Sequence, residues 1–125
     1  MPSFGTLKAD TLTHSTAGSL ATNYVVNGSA KAWINYNTNT STTVTNSLNV
    51  SSLTDNGTGD TSITVSSAFA DTGYTYVGAS GNNGARMTNL ITGLTTTVAR
   101  PKCVNTSDSG DDEPQNFGNM HGDLA

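Results

Sequence analysis

Short runs in which apolar and polar residues alternate recur about every ten residues, separated by clusters of Gly, Asn, Asp and Ser. No other feature constrains the fold as strongly. A period of two sends every second side chain to the same face of a strand, and repeated short strands with turns between them build a sandwich or barrel. Residues 31–36 put Ala32, Ile34 and Tyr36 on one face and Trp33 on the other. Residues 44–53 resume the pattern with Val44, Leu48 and Val50 on one side, and Ile63 and Val65 continue it after Asp55-Asn56-Gly57-Thr58-Gly59-Asp60. Two such runs joined by a short Gly-containing segment predict a β-hairpin, with Asn56-Gly57 at its exposed tip.

The remaining segments fit the same plan. Tyr24-Val25-Val26 reads as a short strand ended by the turn pair Asn27-Gly28. Residues 73–79 carry Tyr74 and Tyr76 on one face of a further strand. Residues 86–91 are ambiguous, and residues 117–121 read as a last strand. Residues 95–104 alternate well, but Pro101 has no N–H to give, which demotes this strand to an edge or a bulged position. The expected fold is all-β, an antiparallel β-sandwich of jelly-roll-like type with at least six strands. Ile34, Leu48, Val50, Ile63 and Val65 are expected to be buried. Residues 1–22 form an extended lead-in or attachment segment, and residues 23–125 form the sandwich domain.

Composition supports this and excludes several functions. Thr, Ser and Asn supply 50 of the 125 residues, while only 11% are charged, so hydroxyls and amides must keep the chain in solution. Thr suits a pleated surface, and Ser, Asn and Gly suit turns. Five basic residues against nine acidic ones leave no basic patch for nucleic acid, and no apolar run is long enough to cross a bilayer as a helix. The start, Met1-Pro2-Ser3-Phe4, has no secretory pattern, and Cys103 has no second cysteine to pair with. Synthesis in a reducing cytoplasm is the expectation.

Candidate chemistry is sparse. His14 and His121 lie apart in the sequence, each without a catalytic motif, and read as loop or interface residues. Residues 55–60 alternate carboxylate and amide oxygens with Gly but lack the spacing and closing Glu of a calcium loop, and a hairpin turn accounts for them. Asp108, Asp111, Asp112 and Glu113 form a denser carboxylate cluster. It reads as a solvated loop, with a cation or a basic partner as the alternative. The Asn-rich loop 80–84 is a second candidate for recognition. Asn27, Asn39, Asn49, Asn56 and Asn105 begin Asn-x-Ser/Thr triplets, which arise here from composition. Trp33 and the tyrosines would suit a sugar-stacking platform but are more simply core or interface residues. No catalytic, cofactor-binding or metal-ligating residue is expected.

Residues 21–36, Ala-Thr-Asn-Tyr-Val-Val-Asn-Gly-Ser-Ala-Lys-Ala-Trp-Ile-Asn-Tyr, resemble a β module of bacteriophage virion proteins. That module is common in phages of cyanobacteria and other aquatic bacteria. Residues 47–60, running on through Thr64 to Tyr76, carry the second stretch of likeness. The ending Gly122-Asp123-Leu124-Ala125 and the lead-in Leu7-Lys8-Ala9-Asp10-Thr11-Leu12 are similar too. The resemblance spans most of residues 5–125. It implies a non-enzymatic structural protein on the outer virion, a homotrimer at a tail-fibre or appendage tip or a capsid decoration protein. Its implied partners are its own copies, other capsid or tail proteins, and a host surface glycan. The chain departs from the pattern in lacking a long fibre shaft upstream and in a less apolar final strand. A soluble carbohydrate-binding module is the competing reading.

Overall fold

The computed structural model describes residues 9–81, 84–91 and 94–125. A hairpin of β1 (Thr11–His14) and β2 (Gly18–Ala21) leads into a two-turn helix, α1 (Thr22–Gly28). Then come β3 (Ala32–Asn37), β4 (Thr43–Leu48), β5 (Val50–Gly57), β6 (Asp60–Val65) and β7 (Thr75–Ser80). The chain finishes with β8 (Met87–Leu90), β9 (Val98–Ala99), β10 (Pro101–Val104) and β11 (Asn116–His121). All pairings are antiparallel, and the protein is all-β apart from α1.

Two sheets make up the body. One has the order β4-β3-β11-β7, and the other β5-β6-β10-β8 with β9 also beside β6. Alternation decides which side chains meet. Ala32, Ile34 and Tyr36 of β3 and Met120 of β11 join Ile63 and Val65 of β6 and Ala99 of β9 in one buried cluster. Phe69 and Tyr74, from the β6–β7 connection, stack on each other at 3.9 Å within that cluster. The ending is built in as well: Phe69 bridges Leu124, and the Ala125 N–H donates to the Ala68 carbonyl.

Ile34, Ile63 and Val65 are buried as expected, and Val50 is half-buried against the core. Leu48 is not: it is 49% exposed. The cause lies one residue on. Asn49 takes φ 55°, a left-handed conformation that Asn tolerates better than most residues, and there the chain leaves one sheet for the other. The run 44–53 is therefore two strands with a corner between them, and its alternation does not carry through. Asn49 also fastens the corner. Its Oδ1 accepts the Ser67 N–H at 2.7 Å, and its Nδ2 donates to the Ser67 carbonyl at 3.2 Å. Asn49→Ala is expected to lower unfolding free energy by roughly 1–2 kcal/mol, from lost hydrogen bonds and backbone strain together. Asn49→Gly, which keeps the backbone freedom, is expected to cost less. Urea denaturation of both variants checks the order.

Three further expectations change. Residues 24–26 lie in α1 and not in a strand, because three consecutive apolar residues carry no period of two; the helix runs through Asn27-Gly28 and ends at an extended Ser29. The lead-in, within its described part, turns back on itself as the β1–β2 hairpin in place of a single extended run. Pro101 is buried in β10, which lies inside its sheet between β6 and β8 and not at an edge. The missing donor is accommodated by a break at Arg100 between β9 and β10, and β10 pairs with β6 at only Lys102↔Asp60. The expected hairpin is present as β5–β6, although its turn is Thr58-Gly59, two residues beyond Asn56-Gly57. Asn56, Gly57 and Thr58 are exposed, whereas Gly59 is buried against the loop after β10.

Candidate functional site

The β4-β3-β11-β7 sheet contains no Asp, Glu, Lys or Arg in any of its four strands. Its inner face supplies the core. The register determines what stands on the outer face. Trp33 pairs with Leu48 on one side and Asn119 on the other, and Asn119 pairs with Val77, so these four form one row across the sheet. The next row reads Asn46, Asn35, Phe117, Ala79. Val77 is 58% and Phe117 43% exposed, and Trp33 is partly covered. Apolar side chains thus alternate with side-chain amides on this face. Neighbouring strands stand about 4.8 Å apart, which keeps side chains of one row in contact distance.

Sequence reasoning noticed Trp33 but missed Phe117 as its neighbour, since 84 positions separate them and only the β3–β11 register unites them. A weak signal was present. In residues 116–121 the buried positions are Asn116, Gly118 and Met120, so the out-of-phase Phe117 must face away from them. Tyr36, Tyr74 and Tyr76 point inward: Tyr36 and Tyr74 are core residues, and Tyr76 packs against the core. Burial raises the pKa of all three. Only Tyr24, on α1, is well exposed.

The acidic loop is mostly turned inward. Glu113 is buried and meets Arg86 Nε at 2.5 Å, while Asp111 takes Arg86 Nη2 at 2.9 Å. Asp112 Oδ1 accepts the Gly59 N–H at 2.7 Å. Asp108 alone of the four carboxylates is exposed, in a left-handed turn at φ 59°. The expected solvated loop is thus corrected at Asp111 and Glu113, whose basic partner is Arg86 of the same chain. Cys103, nearby in β10, is buried, and burial pushes its thiol pKa up, away from the reactive thiolate.

The two histidines stay apart from each other. His121 ends β11 opposite Thr75, in phase with Phe117 and Asn119 on the outer face, and His14 ends β1 opposite Gly18 in the separate hairpin. Of the loop 80–84, Asn82 and Asn83 lie outside the described residues; the Ser80 hydroxyl shares a hydrogen bond with that of Thr88. Among the described residues, no three His, Cys, Asp or Glu side chains converge as metal ligands. Asp60, in the hairpin, is clamped by Arg100 through two hydrogen bonds of 2.9 and 2.7 Å. The Arg100 guanidinium holds its carboxyl below the usual carboxylate range. A depressed pKa stabilises the fold above the unfolded-state value and ceases to do so as pH falls through the folded one. Asp60→Asn should therefore lose less stability than the natural chain between neutral pH and about pH 3, compared by urea unfolding at both.

No family model, no curated protein and no solved structure matches the chain.

Proposed function

We propose that this protein is a non-enzymatic structural protein of a bacteriophage particle, displayed on the outer virion and acting through surfaces that it forms with its own copies and with other virion proteins. The observation that carries the reading is the uncharged outer face of the β4-β3-β11-β7 sheet, with Leu48, Trp33, Val77 and Phe117 in adjacent rows. Exposed apolar residues grouped on one face, and not scattered singly, mark a place where another protein sits. The two sheets serve as a sandwich-type scaffold, and a homotrimer is the proposed assembly. Support also comes from the likeness of residues 21–36 and 47–76 to the phage module. The proposed setting is the virion, after synthesis in the host cytoplasm, at either a tail-fibre tip or the capsid surface. Antibody-labelled electron microscopy of whole particles tests it. Label at tail appendages or over the capsid is expected, and unlabelled particles would overturn the reading. Turnover of a polysaccharide or peptide that is lost on changing His14 or His121 would overturn the non-enzymatic part.

One observation favours a second reading. Trp33 and Phe117 stand beside Asn35, Asn46 and Asn119, an aromatic and amide mixture that also suits stacking and hydrogen bonding to a sugar. Trp33 is the single tryptophan, so its fluorescence reports on this face alone. A saturable change on adding host-surface oligosaccharides, abolished by Phe117→Ala, would move the assignment to a carbohydrate-binding module.

A further inference from the structure

The sequence contains three Asn-Gly pairs, and two of them, Asn27-Gly28 and Asn56-Gly57, lie wholly within the described residues. In this pair an asparagine readily loses its side-chain amide in water. The backbone nitrogen of the glycine attacks Cγ of the asparagine, and with no Cβ beside it little obstructs the approach. The Cγ–Nδ2 bond breaks, ammonia leaves with the proton given up by the attacking nitrogen, and a five-membered succinimide remains. Water then opens the ring at either carbonyl, to aspartate or isoaspartate. The reaction needs solvent access, a glycine N–H that is free, and an asparagine amide that can turn toward it.

Access does not separate the two pairs. All four residues are exposed, and a Cβ on either glycine would meet no atom within 4 Å. Hydrogen bonding does separate them. Asn56 lies in β5, where its Nδ2 donates to Asp60 Oδ1 at 3.2 Å and to Ser62 Oγ at 2.8 Å. The Gly57 N–H donates to Asp55 Oδ1 at 2.8 Å. Both reacting groups are held, and the ring cannot close until those bonds break. Asn27 has no such hold: its side chain makes no hydrogen bond among the described residues. Gly28 is the last residue of α1, and its N–H makes no hydrogen bond outside the helix. Helix ends fray at little cost in free energy, and fraying releases that N–H.

We propose that Asn27 is a site of spontaneous deamidation and that the fold protects Asn56 from the same reaction. Conversion puts a carboxylate into the cleft of about 290 Å³ that Asn27 shares with Asp71, Gly73, Tyr74, Gly122 and Asp123. That lining already holds two carboxylates and no Lys or Arg, so the new charge meets like charge. Isoaspartate also adds a methylene to the main chain in the last turn of the helix. Both effects drive the end of α1 away from the connection between β6 and β7.

The test ages the natural full chain at mildly alkaline pH and reads the rise of about 1 Da at each asparagine by peptide mass mapping. In the folded chain Asn27 should convert roughly tenfold faster than Asn56. In concentrated urea, where both sets of hydrogen bonds are lost, the two rates should agree within about twofold. Equal rates in the folded chain, or faster conversion of Asn56, would overturn the assignment. A difference that persists undiminished in urea would overturn it too, since sequence and not fold would then set the rates. The aged, more acidic species, separated by ion exchange, should exchange the amide hydrogens of residues 24–28 faster than the unaged chain. Equal exchange would overturn the release of the helix end while leaving the site in place.

Discussion

Arg86→Met is expected to lower the unfolding free energy by about 3–5 kcal/mol, the largest effect of any surface-loop substitution in this protein. Arg86 connects β8 to the loop before β11 by meeting both Asp111 and Glu113. Glu113 is 1% exposed, and its Oε2 has no hydrogen bond among the described residues, so removing the guanidinium leaves a buried carboxylate with little to offset its desolvation. The double variant Arg86→Met, Glu113→Leu removes both charges and should recover much of the loss. Urea denaturation of the two single variants and the double variant measures the coupling. Additive losses would show that the pair does not act as a unit.

Gly59→Ala is expected to be nearly as severe, at roughly 3 kcal/mol or more, for a reason that does not involve charge. Gly59 has φ 71°, and a Cβ there would lie 2.3 Å from the Cys103 carbonyl oxygen. Across the same contact, a Cβ on Gly110 would lie 2.3 Å from the Thr58 carbonyl oxygen. Two backbones cross here without room for a methyl group. Gly57→Ala is the natural control, because Gly57 also has positive φ, at 129°, but faces open space. It should cost only the backbone strain, roughly 1–3 kcal/mol. Thermal and urea unfolding of the two variants separate the strain from the collision.

The parts of the fold legible in the sequence are those in which one face is buried along a whole strand. β3 and β6 alternate buried and half-buried residues without interruption, and their patterns could be read directly. The β5–β6 hairpin was legible because Gly and Asn mark its turn, although the turn sits two residues later than the Asn-Gly pair suggests. Leu48 was misplaced because a single left-handed residue, Asn49, re-aims the chain, and alternation carries no sign of such a corner. α1 was missed because Tyr24-Val25-Val26 carries no period that marks a helix, and the start of the helix is held by residues twelve and thirteen positions back, where the Thr22 N–H and hydroxyl donate to the Asp10 and Ala9 carbonyls. The interior fate of Asp111 and Glu113 was hidden for a different reason. A run of carboxylates looks solvated unless its counter-charge is known, and Arg86 lies more than twenty positions away. The placing of Trp33 and Phe117 in adjacent rows of one surface is likewise a matter of strand register between distant segments.

The separation of charge between the two sheets bears on the waters in which such a surface would have to hold. Asp55, Asp60 and Lys102 belong to the sheet of β5, β6, β10 and β8, and the strands of the other sheet have no such residue. Dissolved ions weaken an attraction only where charges face each other, over a screening length of about 30 Å at 0.01 M and about 3 Å at 1 M. A contact made on a face with no Asp, Glu, Lys or Arg has little ionic attraction for salt to screen. Its grip should be the same in dilute freshwater and in brine, and strengthened if anything where salting-out ions are present.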